Sequence, residues 1–255
     1  MIGRLAHIAG QEQVGAFHLT RVHCPDLAEV LRPGHFVLVR FASTWDPYLR
    51  IPLFPVVIDP LSWLVYHRLE DAQGLSLLHR SPPGTQVMVW GPLGQPFPSV
   101  SPGDRVLVLA QEPYVPYVLG LARDLSVQHD VVMLVEHGGG LLPTDLHWLP
   151  PAVEFQTVPS SGAHLDDALS ALSSWADKVF VAGPAHWPQY IAYRLETLWM
   201  TLPRGRAFAL VADGIMCGLG LCDRCVLSTR RGPIRTCRKG PVLDLGEWFG
   251  TRRGT

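Results

Sequence analysis

Charge is scarce in this chain. Asp, Glu, Lys and Arg make up 17% of its 255 residues, against 47% hydrophobic residues. A surface this poor in charge, in a chain with 8 Trp, suits a subunit that stays docked to a partner. The 21 Lys and Arg are balanced by 22 Asp and Glu and spread along the chain except near its end, which excludes the concentrated basic face of a nucleic-acid binder. Long apolar runs are missing as well. The longest, Val106 to Ala110, is far short of the roughly 20 residues of a membrane-spanning helix. The start of the chain, Met1 to Ile8, has no charged stretch leading into a long apolar one, so no signal peptide is read and a cytoplasmic protein is expected. Cysteine is rare and unevenly placed: of five, four fall in the last forty residues. An odd count so clustered argues against a secreted disulfide framework and for a metal site. No hydrolase pattern stands out, since Ser160, Ser161, His164 and Asp166 lie outside any nucleophile-elbow context.

What is present divides into three textures. Residues 1–100 read as short strands between Pro and Gly turns: Phe36–Phe41 after Pro33-Gly34, Pro55–Ile58 and Trp63–Tyr66 around Asp59–Ser62, and Gln86–Trp90 before Gly91-Pro92. That spacing predicts a small antiparallel barrel, with a helix near Gly74–His79. Residues 101–212 alternate: strands at Arg105–Ala110, Val131–Val135, Glu154–Val158, Lys178–Ala182 and Ala207–Ala212, helices at Val115–Leu125, Asp166–Trp175 and Gln189–Thr201. Such alternation predicts a parallel sheet covered by helices on both faces. Residues 213–255 are rich in Gly and Cys, then basic, with little regular structure expected.

The strongest motif is Cys217-x4-Cys222-x2-Cys225-x11-Cys237. Three thiolates within nine residues make the backbone wrap a compact anionic object, and C-x4-C-x2-C with a distant fourth cysteine is the plant-type [2Fe–2S] arrangement. Gly214, Gly218 and Gly220 give the backbone the freedom such wrapping needs. Four cysteines also satisfy tetrahedral zinc, although zinc loops usually pair two short Cys-x-x-Cys turns, and four free buried thiols are the third reading. Cys24, beside Pro25, reads as a small buried hydrophobe.

Taken together, these segments resemble the electron-transfer subunits of B-type dihydroorotate dehydrogenase, members of the ferredoxin reductase superfamily. The resemblance is most specific at Cys217–Cys225 and at Thr236–Asp244, which is similar to the family's Cys-x-x-Gly-Pro-Val segment. Pro33–Val37 resembles a Pro-Gly-Gln-Phe segment, and Gly91–Phe97 a Gly-Pro-Leu-Gly-Asn-Gly-Phe segment. The resemblance implies an FAD-binding-type barrel over 1–100, a nucleotide-binding-like α/β domain over 101–212 and a [2Fe–2S] segment over 213–255. It places Arg50, Ile51, Pro52, Leu53 and Phe54, His67, Arg68 and Leu69, Gly74 and Leu75, and Gly91 and Pro92 at the flavin. It also implies a hetero-oligomer with a catalytic dihydroorotate dehydrogenase-like subunit or another redox protein, in pyrimidine biosynthesis.

The departures from the family pattern are chemical. Where the family reads Leu-Leu-Arg-Arg-Pro-x-Ser, this chain has Ile51 for the second Arg and Phe54 for the Ser, so FAD would be held more weakly, through backbone groups and stacking. After the first α/β strand the family has a glycine-rich phosphate loop; here stands Gln111-Glu112-Pro113-Tyr114-Val115-Pro116, with a carboxylate, a bulky ring and two residues lacking N–H donors. The Cys of the family's Cys-Gly-Pro becomes Ala182. Loss of NAD(H) binding is therefore expected. Two other functions remain open on sequence grounds: an NADH-linked flavoprotein oxidoreductase, and a redox-inactive scaffold that binds zinc.

Overall fold

The computed structural model describes residues 3–14, 17–43, 49–67, 75–138, 149–160 and 162–250. Seven strands form the first sheet: β1 (Gly3–Val14), β2 (Phe17–His23), β3 (Phe36–Phe41), β4 (Ile51–Leu53), β5 (Val56–Asp59), β6 (Ser62–His67) and β7 (Gln86–Leu93). Their order is β4-β3-β7-β1-β2-β6-β5, and every neighbouring pair is antiparallel. The two outer strands, β4 and β5, follow one another directly in the chain, and the sheet curls into a barrel-like layer. Short helices α1 (Pro25–Ala28) and α2 (Leu75–Arg80) accompany it.

Alternation along the strands gives this sheet two buried faces. Val37 and Val39 of β3 point inward with Ile8, Leu27, Ile51, Leu53, Trp63, Val87 and Val89, while Phe36 and Leu38 join a different core. Cys24 is buried in the inner set, as a small hydrophobe would be.

The second sheet has the order β10-β9-β8-β11-β12-β15, formed by β8 (Val106–Gln111), β9 (Val131–His137), β10 (Val153–Pro159), β11 (Lys178–Ala182), β12 (Ala207–Leu210) and β15 (Val242–Asp244). The first five are parallel; β15 is antiparallel and returns from the cysteine-rich segment. Helix α3 (Pro116–Leu125) covers one face, through Val118 and Ala122 against Val106, Val108 and Ala110. Helices α4 (Gly162–Ser173) and α5 (Trp187–Trp199) cover the other, with Leu169, Ile191 and Leu195 against Leu107 and Leu109. The end of the chain adds a hairpin, β13 (Val226–Leu227) with β14 (Ile234–Arg235), and helices α6 (Thr236–Lys239) and α7 (Leu245–Trp248). Among the described residues no helix is long and apolar enough to cross a membrane.

The two sheets share one core. Phe36, Leu38, Phe54, Val56 and Leu64 of the barrel side pack into the cluster that contains α3 and the near face of β8 and β11. Phe180 is the joint: its ring meets Phe97 edge-on at 5.3 Å and stacks with Phe208 at 5.8 Å. Fully buried phenylalanines cut to alanine typically cost 3–5 kcal/mol. Phe180→Ala is expected to lose stability on that scale, read as a fall in the urea midpoint with an unchanged slope.

Candidate metal centre

The four cysteines are brought together by two local devices. A tight loop leaves β12 at Leu210 and carries Cys217, Cys222 and Cys225. Gly214, Gly218 and Gly220 all have positive φ, at 72°, 66° and 72°. At Gly218 the loop lies directly on the barrel's outer face, where an added Cβ would meet Leu38, Leu93 and Phe36. The second device is the hairpin. Pairing of Val226 with Arg235 sets Cys225 beside Thr236 and closes the eleven-residue gap before Cys237. Thr236 donates to the Cys225 carbonyl from its backbone N–H at 3.0 Å and from its hydroxyl at 3.3 Å.

The thiols interact with one another: Cys217 with Cys222, and Cys237 with Cys225 and also with Cys217. Among the described residues, no three His, Cys, Asp or Glu are grouped as for a single metal ion. Four thiolates serve a [2Fe–2S] cluster, two on each iron, and they also satisfy a single tetrahedral zinc. The sulfurs also differ in surroundings. Burial pushes the Cys217 thiol up, but the backbone N–H groups of Leu221, Leu219 and Cys222 outweigh it and bring the thiol down to about 6. The Leu219 and Leu221 N–H groups lie 3.4 and 3.5 Å from that sulfur. Burial first, then its hydrogen bond with Cys225, push the Cys237 thiol up to about 12. Amides aimed at one sulfur and an apolar wall around another are the environment that holds an anionic iron–sulfur group in place.

One end of the site is open. Cys225 and Cys237 are each 3% exposed, whereas Cys222 and Leu221 lie at the surface, Leu221 at 77%. Arg224, Arg235, Arg238 and Lys239 are exposed around it, and Arg235 pairs with Asp223 and lowers its carboxyl below the ordinary range.

Three segments singled out in the sequence converge beside this loop. The Phe97 N–H donates to the Pro33 carbonyl at 2.9 Å, and the Gln95 N–H donates to the Gly240 carbonyl at 2.8 Å. Gly34 is packed under Val242. Gly91, joined to Pro92 by a cis peptide bond, has its carbonyl bonded by Arg4 at 2.8 Å.

The flavin-type strand divides by face. Ile51 and Leu53 point into the barrel interior, at 1% and 2% exposure. Arg50 lies on the other side, with its guanidinium 4.2 Å from the Trp90 ring centre. Pro52 is partly buried, and Phe54 packs between Phe36 at 5.9 Å and Tyr117 at 4.7 Å. His67 closes β6 and Leu75 opens α2; Arg68, Leu69 and Gly74 lie outside the described residues. Sequence reasoning missed Trp90 as the platform under Arg50, because Trp90 is brought there only by the β3–β7 pairing that places it beside Leu38.

It also missed Asp213, one residue before the cysteine loop begins. The Tyr114 hydroxyl donates to Asp213 Oδ1 at 2.9 Å, and the Ala185 N–H to Oδ2 at 2.7 Å.

Residues 214–248 match the family described as the iron–sulfur cluster binding domain of dihydroorotate dehydrogenase B. Most of the chain is similar to proteins named dihydroorotate dehydrogenase B (NAD(+)), electron transfer subunit. One from Bacillus caldolyticus is 27% identical, covering 86% of this chain and 87% of its own length. One from Shouchella clausii is 29% identical, covering 85% and 86%. Among solved structures, an NADH-dependent reduced ferredoxin–NADP oxidoreductase superposes with a TM-score of 0.75 at 16% identity, over 96% of this chain and 90% of that one. The ferredoxin reductase of carbazole 1,9a-dioxygenase, in its FAD apo form, gives 0.62 at 16% identity, over 81% and 66%. These likenesses give the fold: a flavin-reductase-type barrel followed by an α/β sheet.

Proposed function

We infer that this chain, related along most of its length to the electron transfer subunits of dihydroorotate dehydrogenase B, is itself an electron-transfer subunit that passes electrons between an iron–sulfur cluster and a partner flavoenzyme. The observation that carries the reading is the interacting set Cys217, Cys222, Cys225 and Cys237, on a loop seated against the barrel and inside the residues that match the iron–sulfur cluster binding domain. These four hold a [2Fe–2S] cluster, which supplies one-electron redox chemistry when bound. The chain's own part is to fix the cluster's position, direct N–H groups at Cys217, bury Cys225 and Cys237 away from water and leave the Cys222 side open to a partner. The partner is a catalytic dihydroorotate dehydrogenase-like subunit, so the assembly is a hetero-oligomer. It works in the cytoplasm, where four thiolates stay reduced.

FAD is the second cofactor. Arg50 supports that reading: it is the cation on the outer side of the strand, seated on Trp90, where it can meet a phosphate. Ile51 takes no part, since its side chain belongs to the barrel interior. A charge-assisted contact of this kind contributes about 1.5–3 kcal/mol. Arg50→Ala is expected to weaken FAD binding about ten- to a hundredfold, on the scale of 1.4 kcal/mol per factor of ten, with iron content unchanged. The ratio of extracted flavin to iron measures it.

The experiment for the function as a whole is anaerobic purification followed by the visible spectrum, iron, acid-labile sulfide and flavin on one sample. A red-brown protein with about two irons per chain supports the reading. A colourless protein that contains zinc overturns it.

A further inference from the structure

In an open α/β sheet, ligands bind at the carboxyl ends of the strands, where the chain's course reverses direction across the sheet. Here that point lies between β8 and β11: the chain runs from β8 outward through β9 to β10, then returns to β11 on the opposite side of β8. The loops after these strands would ordinarily offer backbone N–H groups to a dinucleotide pyrophosphate. In this chain those groups already have an anion. The Ala185 N–H, just past β11, donates to Asp213 Oδ2 at 2.7 Å, and Asp213 Oδ1 accepts from the Tyr114 hydroxyl at 2.9 Å, so one carboxylate spans the crevice from the β8 loop to the β11 loop. The Gly138 N–H, just past β9, donates to Glu112 Oε2 at 3.1 Å, and Glu112 is 8% exposed. Glu136 beside it accepts from Gln111 at 2.7 Å.

The apolar side of the crevice is filled too. Tyr114 contacts Tyr117 at 5.8 Å, Tyr117 contacts Phe54 at 4.7 Å and Phe54 contacts Phe36 at 5.9 Å, an unbroken row of rings from the strand ends to the barrel. Gly183, where a missing side chain could have admitted a ligand, lies under the Trp187 ring instead.

We propose that Glu112 and Asp213 are built-in occupants of the dinucleotide crevice, so that this chain exchanges electrons with the redox centre of another protein and not with a nicotinamide nucleotide. This rests on the electron-transfer reading above and names its counterpart class. A dinucleotide would have to displace two carboxylates from their N–H donors and bring its own negative phosphates among Glu112, Glu136 and Asp213. These carboxylate contacts hold the strand ends together, and Asp213, which is followed at once by Gly214, ties the start of the cysteine loop to the Ala185 amide and to the Tyr114 hydroxyl.

Because a hydride needs the flavin as its two-electron acceptor before a one-electron cluster can be reduced, the test uses protein loaded with both iron and FAD under anaerobic conditions. Its iron content and its bleaching by dithionite are recorded first, so that failure of the electron-transfer reading shows before any nucleotide is added. NADH and NADPH are then each supplied at about 1 mM, the upper end of ordinary KM values. The expected result is no bleaching beyond the buffer control, and no heat on titration with NAD+ or ADP-ribose. Saturable bleaching by either reduced nucleotide, or saturable heat with ADP-ribose, overturns the proposal.

Discussion

Cys225→Ala and Cys237→Ala are each expected to yield a colourless protein with its barrel and α/β sheet in place and with electron transfer abolished. Both residues are 3% exposed, and their thiols interact across a closed hairpin. Alanine leaves an iron one thiolate short in a pocket that water enters poorly. Because even outer-sphere changes cost metal sites ten- to a hundredfold in affinity, direct loss of a buried ligand should leave below about a tenth of the iron. Cys222→Ser is the informative contrast. Cys222 is exposed, and a serine oxygen or water can stand at its corner, so part of the iron and colour should persist. Iron and sulfide per chain, with far-ultraviolet circular dichroism as the fold control, separate the two outcomes. Equal loss at all three positions would mean that burial does not rank the ligands.

The difference between what the sequence discloses and what it hides follows from where each constraint acts. The cysteine loop is legible because ligand spacing is local chemistry: three thiolates in nine residues leave few alternatives. Strands β8, β9 and β11 are legible because both their faces are covered, so they read as unbroken apolar runs. β1 is not. Its twelve residues include Gly10, Gln11, Glu12 and Gln13, and the register shifts between Ile8 and Gly10, which breaks the two-residue period that would mark a strand. β2 hides for a related reason, since Phe17 and Leu19 serve the inter-sheet core while Val22 serves the barrel interior. β15 has only three residues and is a strand because β12 lies beside it, a fact of tertiary pairing. The same holds at the crevice. The composition of Gln111–Pro116 warns that phosphate is unwelcome, but the carboxylates that occupy the Ala185 and Gly138 amides lie 28 and 26 residues away along the chain, and the Tyr114 hydroxyl that also holds Asp213 lies 99 residues from it. Strand alternation separates Arg50 from Ile51: the Ile51 side chain lies in the barrel interior, whereas the Arg50 guanidinium is on the other side, over Trp90.

The second large effect is expected from a single methyl group. Gly214→Ala should cost the protein its cluster as surely as loss of a cysteine, though no ligand is touched. Gly214 has φ of 72°, in the left-handed region where an L side chain is strained by about 1–2 kcal/mol. Its Cβ would also fall inside contact distance of the Arg224 carbonyl oxygen and of the Cys225 Cα. Those are backbone atoms of the ligand loop, held by the Thr236 bonds to the Cys225 carbonyl, so they cannot swing aside as a flexible side chain would. Room for the methyl comes only from moving Cys225 away from Cys237 or from opening the Gly214 turn that follows Asp213. The first separates a thiol pair; the second releases the tie between the loop and the strand ends. Gly232→Ala is the control. Gly232 also has positive φ, at 102°, but nothing lies within 4 Å of an added Cβ, so it carries the strain without the collision. Iron should drop sharply in Gly214→Ala and stay near the parent value in Gly232→Ala. Equal loss in both would assign the effect to loop strain alone, and retention of iron in Gly214→Ala would mean that the Arg224–Cys225 backbone is free to move while all four thiolates stay in place.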